Sequence, residues 1–372
     1  MSARWPLFLF LFVAGPLSLA GRGAAGPKKE RAPAEVLFPK AGAIVSVSED
    51  LEGRLHVKGW PVLLVRRATE EDKRWWVQAA IEEVVAGQFT GRARVGDRRT
   101  PPGAAFVVVV LVAPSQAEAN KFKPGTTLAA LPAGLPRSAP VTVFRDAPGS
   151  ARPAAPRVLE FAGYSWRVKA GRRLGPGPND FSDARENVWL DTKKHLHLAI
   201  TKAGGKWRCA EVVADKSRGF GEYTWVIANF ERLDRQAVLG LFTYETTSRE
   251  VDFELSRWGS ADPAKPDAQF VVQPYTLKDS THRFDTGRAR VLTCSILWRK
   301  GLVRGRCWEG EDTGKPPLAD WTYRGRHVPP PGKERARANL WLFDGKPPAS
   351  GRRQEVVIRS FKFKPDSPAP TR

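Results

Sequence analysis

The segment Glu250-Val251-Asp252-Phe253-Glu254 places three carboxylic acids at alternate positions, with apolar residues between them and Leu255 after them. Side chains of an extended strand alternate between its two faces, so the three acids share one face and Val251, Phe253 and Leu255 the other. The apolar face can anchor in a core. The acidic face then carries three like charges in a row, an arrangement that raises at least one pKa and keeps a carboxylic acid protonated near neutral pH. Residues four apart on a strand have Cα atoms about 13 Å apart, at ~3.3 Å per residue. Two glutamates leaning towards each other bring their carboxyl groups to about 5–6 Å, close to the roughly 5–5.5 Å between nucleophile and acid/base in retaining glycoside hydrolysis. An inverting reaction needs a wider gap for its water. The spacing points to a two-carboxylate displacement, with a solvated acidic strand face as the plain alternative.

Such a strand needs a sheet to hold it, and its surroundings are strand after strand. From Val158 to about Pro365, short β-branched or aromatic runs (188–190, 195–201, 223–228, 238–244, 250–255, 269–273, 291–298 and 355–363) are bounded by Gly, Pro, Asp or Asn. None keeps a 3.6-residue period beyond one turn, which predicts a sizeable two-sheet sandwich. Residues 34–146 hold further runs at 55–57, 61–65, 75–79 and 106–112, with one helical turn over 117–122, and predict a smaller accessory β-sandwich. Between them, residues 147–157 (APGSARPAAPR) have little to pack and read as a linker. The chain is thus expected to be all-β: a basic disordered segment over 21–33, the accessory sandwich over 34–146, the linker, the larger sandwich over 158–365 and a loose tail over 366–372.

Residues 1–20 carry a secretory pattern: Arg4 at the start, an apolar run from Pro6 to Ala20, and Ser18-Leu19-Ala20 as a small-x-small cleavage site. The run is too short, and too broken by Gly15 and Pro16, for a membrane span, so a secreted or periplasmic protein is expected. An oxidising compartment permits a disulfide. Counting outward from the turn at Lys300-Gly301 sets Cys294 opposite Cys307, near enough to bridge; the sequence leaves open whether they do, and Cys209 is then the odd thiol.

The net charge is +21, from 60 Lys+Arg against 39 Asp+Glu. The basic residues are scattered and read as a solvated surface, although an anionic partner is the other meaning such an excess can have. There is no zinc-ligand spacing, no dinucleotide-binding or phosphate-binding loop, and no aromatic-plus-basic motif for nucleic acid. His195 and His197 alternate on one strand, but no third ligand accompanies them, so no metal site is assigned.

With these residues in view, positions 158–365 resemble glycoside hydrolase family 16, the laminarinase, lichenase and agarase group, whose catalytic strand reads E-[ILV]-D-x-E. Further likenesses are Gly219-Phe220-Gly221-Glu222-Tyr223 to the family's G-[YF]-G-x-[YF] strand opening and Leu241-Phe242-Thr243-Tyr244 to the lichenase F-T-Y strand. Cys209-Ala210-Glu211 is similar to the A-E pair, Ala268-Gln269-Phe270 to the strand after the catalytic one, and Asn339-Leu340-Trp341 to the N-L-W segment. The resemblance implies a concanavalin A-like jelly roll with an open cleft, and an endo-acting retaining hydrolase of a β-linked glucan or galactan. It implies Glu250 as nucleophile, Glu254 as general acid/base and Asp252 as their tuner. Glu211, Phe242, Tyr244, Trp258, Gln269, Asn339 and Trp341 would line the sugar cleft, the aromatics by stacking on pyranose faces. No cofactor is implied; a structural Ca²⁺ is common in the family, and no ligand set for it is identifiable here.

The sequence departs from the family pattern in its substrate set. The Arg two residues after the A-E glutamate is Val213, the Trp-Asp before the lichenase acidic motif is Ser248-Arg249, and the polar residues expected after Phe270 are Val271 and Val272, though Gln273 and Tyr275 follow. A polysaccharide is the expected partner. The competing reading is a non-catalytic polysaccharide-binding protein of the same fold, and the departure at Val213 motivates it. Nothing in the sequence speaks to oligomeric state.

Overall fold

Alternation of buried and exposed side chains builds two large antiparallel sheets from residues 158–365. The computed structural model describes residues 31–69, 73–97, 99–146 and 157–366; the expected signal segment, most of the basic segment and tail, and all but one residue of the linker lie outside these. One sheet runs in the order Val158–Phe161, Tyr164–Val168, Ala210–Ala214, Arg335–Leu342, Ala237–Thr246, Arg249–Leu255, Ala268–Val272, Thr281–Phe284. The opposing sheet runs Val188–Leu190, Leu196–Ala203, Gln354–Pro365, Gly221–Ala228, Val291–Arg299, Leu302–Glu309, Ala319–Arg324, with Lys206–Arg208 added beside Leu196–Ala203. Hairpins such as Ala237–Thr246 with Arg249–Leu255 alternate with pairs distant in sequence, such as Ala210–Ala214 beside Arg335–Leu342 and Leu196–Ala203 beside Gln354–Pro365, as in a jelly roll, and the acidic strand lies inside its sheet with neighbours on both sides.

The space between the sheets is filled by side chains from every strand. Trp166, Trp225, Trp298, Tyr223 and Phe361 are fully buried there, and polar handles of three of them are met: the Trp166 indole donates to Phe161 O at 3.2 Å, the Trp298 indole to Pro329 O at 2.9 Å, and the Tyr223 hydroxyl to Gly219 O at 2.7 Å. The glycine-aromatic motif at 219–223 is therefore a core device. The hairpin around Lys300-Gly301 has the counted register, and Cys294 and Cys307 are joined by a disulfide. Cys209 is buried beneath the acid-bearing sheet, and burial pushes its thiol up to about 12.

Residues 34–145 form a second, smaller sandwich. A four-stranded sheet (Ala34–Phe38, Ser48–Leu55, Gln88–Arg94, Val84–Val85) faces a six-stranded one (Ile44–Val45, Val141–Arg145, Ala105–Ala113, Trp60–Arg67, Trp75–Val77, Thr127–Leu128). Leu51, Leu63, Phe89, Val108 and Val110 pack between them. The helical turn is Gln116–Ala119, capped by Ser115. The run expected at 55–57 is instead the end of the strand Ser48–Leu55, whose charged residues hide its alternation. The described residues from 32 to 366 together form one compact unit. Among the described residues no helix is long and apolar enough to cross a membrane.

Candidate active site

The acidic strand is Arg249–Leu255, and its two faces divide as their chemistry requires. Val251, Phe253 and Leu255 are in the inter-sheet core, while Glu250, Asp252 and Glu254 line a cleft of about 660 Å³ on the opposite face. All of the sequence-derived candidates line this same cleft: Glu211, Phe242, Tyr244, Trp258, Gln269, Asn339 and Trp341 join the three acids.

Strand register explains how distant residues meet. Glu211, Asn339, Gly240, Glu254, Gln269 and Arg283 stand directly opposite one another across six strands. The next row of the same face is Val213, Arg337, Phe242, Asp252, Val271 and Thr281, and the third pairs Arg335, Tyr244 and Glu250. A Cβ on Gly240 would stand 2.6 Å from Asn339 Oδ1, which accepts the Gly240 N–H at 3.1 Å, so Gly240 could gain a side chain only by displacing that amide. Its missing side chain leaves the room in front of Glu254.

Each acid has its own partner. Gln269 Nε2 donates to Glu254 Oε2 at 2.6 Å, and Gln269 Oε1 accepts from Arg283 Nε at 3.1 Å, so the arginine fixes the amide with its N–H₂ towards the acid. Arg283 in turn lies 4.7 Å over the Trp258 ring, and the Trp258 side chain favours the ionised form of Glu254. Gln273 Nε2 donates to Asp252 Oδ2 at 3.2 Å. Glu250 donates its own hydrogen bond to Asp252.

Burial is the largest influence on all three acids, and it raises their pKa values. Glu250 is held well above the ordinary glutamate range by burial, then by the Asp252 charge and the hydrogen bond to it, then by Glu52 and Glu254. Asp252 is also held well above its ordinary value by burial and the Glu254 charge, against the donations from Glu250 and Gln273. Glu254 is raised less firmly, because Gln269, Trp258 and Arg283 favour its ionised form. Burial and mutual charge thus favour the protonated form of all three acids, most strongly for Glu250 and Asp252.

Sequence reasoning missed several cleft residues. Lys169 Nζ and Arg337 Nη1 clasp the buried Glu211 carboxylate at 2.7 and 3.0 Å, and the Arg337 guanidinium lies 4.4 Å over Tyr244. Arg337 is directly opposite Val213, so a guanidinium absent from one strand enters the same row from its neighbour. The alternation Arg335-x-Arg337-x-Asn339-x-Trp341 carried that signal. Phe38, Glu49, Asp50 and Glu52 come from the smaller sandwich, and no motif marked them. Seven carboxyl groups (Glu49, Asp50, Glu52, Glu211, Glu250, Asp252, Glu254) and three cationic groups (Lys169, Arg283, Arg337) line the cleft. The basic excess of the chain is elsewhere. His195 and His197 share the Asp191 carboxylate at 3.4 Å each, and His197 also meets Glu355 at 2.8 Å; among the described residues no group of three or more ligand side chains is placed to hold a metal ion.

No family model matches the chain, and no curated protein matches it. Among solved structures it is similar to a β-glucanase of Bacillus licheniformis, at 18% identity over 58% of this chain and 100% of that one, with a TM-score of 0.43. It is similar to a β-1,3-glucanase from Mycobacterium marinum (17% identity, 58% and 94% covered, TM-score 0.40) and to a protein of Mycobacterium tuberculosis described as an immunostimulatory antigen and pseudo β-1,3-glucanase (16%, 54% and 91%, TM-score 0.42).

Proposed function

We propose that this chain is a retaining glycoside hydrolase that cuts within a neutral β-linked polysaccharide of the glucan or galactan class. The observation that carries this reading is one strand that anchors Val251, Phe253 and Leu255 in the core and lifts Glu250, Asp252 and Glu254 into an aromatic-lined cleft. In this reading Glu250 attacks the anomeric carbon while Glu254 protonates the departing glycosidic oxygen, leaving a glycosyl ester on Glu250. Glu254, now ionised, takes a proton from water, which attacks the same carbon and frees Glu250. Attack requires Glu250 to be ionised, whereas burial, the Asp252 charge and its hydrogen bond to Asp252 favour its protonated form. Asp252 resolves this: one proton passing along that bond leaves Glu250 charged and Asp252 neutral, with Glu254 still protonated. Phe242, Tyr244, Trp258 and Trp341 offer faces for pyranose rings. The preponderance of carboxyl groups in the cleft disfavours sulfated or uronate chains. The secretory pattern of residues 1–20 supports action outside the cytoplasm.

The test is release of reducing ends from laminarin, lichenan, xyloglucan, agarose and carrageenan, with proton NMR of the first-formed anomer. Product is expected from one of the neutral polymers and not from carrageenan, and the β-anomer should appear first. A glycan held without cleavage would favour a binding protein; the α-anomer appearing first would rule out double displacement.

A further inference from the structure

We infer that the amino-terminal sandwich is the second wall of this cleft and that Glu52 is a substrate-positioning residue, accepting hydrogen bonds from hydroxyls of the sugar held beside Glu250. The inference rests on the hydrolase reading above and adds the residue that the smaller sandwich contributes to it.

The strand Ser48–Leu55 has the same construction as the acidic strand. Leu51, Gly53 and Leu55 are buried, with Leu51 and Leu55 in the core of the smaller sandwich, and a Cβ on Gly53 would stand 2.2 Å from the Phe89 ring. By alternation Asp50, Glu52 and Arg54 face the other way, and that face meets the larger sandwich. Tyr244 donates its hydroxyl to Glu52 Oε1 at 3.1 Å, the Arg54 guanidinium lies 5.8 Å from the Tyr275 ring centre, and Arg173 Nη2 donates to Ala41 O at 3.1 Å. Asp50, Glu52 and Tyr275 all line the cleft together with Glu250.

A carboxylate placed only to fasten two sandwiches would be expected to spend both oxygens on them. Among the described residues Glu52 Oε2 accepts no hydrogen bond, and the residue borders open cleft. The cations whose charge it feels, Lys169 and Arg337, are each ion-paired with Glu211. Tyr244 stands directly opposite Glu250 in the sheet, so the free acceptor is next to the nucleophile's position. Sugar hydroxyls are donors, and a carboxyl oxygen accepts from them, about twice as strongly when the group is ionised.

Binding is measured by calorimetry on full-length Glu250→Gln protein with laminarihexaose, cellohexaose and neoagarohexaose, followed with the tightest of the three. Adding Glu52→Ala should weaken that affinity about tenfold or more, and Glu52→Gln about threefold, since an amide oxygen still accepts. With Glu250 intact, the Glu52 variants should raise KM on the matching polymer far more than they lower kcat. Unchanged melting temperatures separate this from loss of folding, and if the alanine variant unfolds the glutamine variant decides. Affinities of the folded Glu52 variants within about 1.5-fold of the parent would overturn the inference while leaving the hydrolase reading intact. No binding by the parent, together with no product from the wild type, would instead remove the hydrolase reading and this inference with it.

Discussion

Glu250→Gln is expected to abolish release of reducing sugar, a fall of at least about 10⁴-fold in kcat, while the fold is kept. The substitution is nearly isosteric, and its amide can donate to Asp252 as the protonated acid does. What it lacks is an anionic oxygen that can attack the anomeric carbon and form the glycosyl ester. Glu254→Gln should behave differently. It loses the proton donor to the leaving group, so hydrolysis of the natural polymer should fall about 10²–10⁴-fold. Aryl glycosides whose leaving group departs unaided should still form the glycosyl ester. Stopped-time assays on polymer and on an activated aryl β-glycoside check both statements. A Glu250→Gln protein as active as the wild type would end the assignment of roles.

The acidic strand was legible in the sequence because a strand's period of two sorts five residues unambiguously: the apolar set went to the core and the acids to the cleft. The same logic, applied to Arg335-Ala336-Arg337-Ala338-Asn339-Leu340-Trp341-Leu342, would have added Arg337 beside Asn339 and Trp341, since Ala336, Ala338, Leu340 and Leu342 are all buried. What could not be read was pairing. That Arg337 faces Val213, or that Arg283 orients Gln269 towards Glu254, depends on register between strands far apart in the chain. The amino-terminal wall was the least legible part. Ser48–Leu55 (SEDLEGRL) has a glycine at one of its three core positions, so its apolar alternation is broken where Phe89 fills the space. Its acids then look like any solvated turn, and only the packed structure shows them turned towards the cleft.

The same three carboxyl groups are expected to make a contribution to stability that falls as pH rises. A carboxyl group whose folded pKa lies above its unfolded value binds more protons folded than unfolded. Its favourable contribution is complete below the unfolded pKa, near 4.3 for glutamate, and is lost as pH rises through the folded value. Glu250 and Asp252 are both displaced well upward, first by burial and then by neighbouring charge. Glu250→Gln removes one ionisation from the cluster without removing the donor to Asp252. The variant is therefore expected to match the wild type near pH 4 and to be more stable at pH 8. The gain should be about 1–3 kcal/mol, kept to that range because Glu250 retains partial exposure to cleft water. Urea unfolding of the two proteins at pH 4, 6 and 8 measures the difference directly. A constant difference across that range, or a variant less stable at pH 8 than at pH 4 relative to wild type, would mean that the cluster is not under electrostatic strain. A widening difference would mean that the cleft is held together against its own charge, a cost that a strand with a purely structural acidic face would not carry.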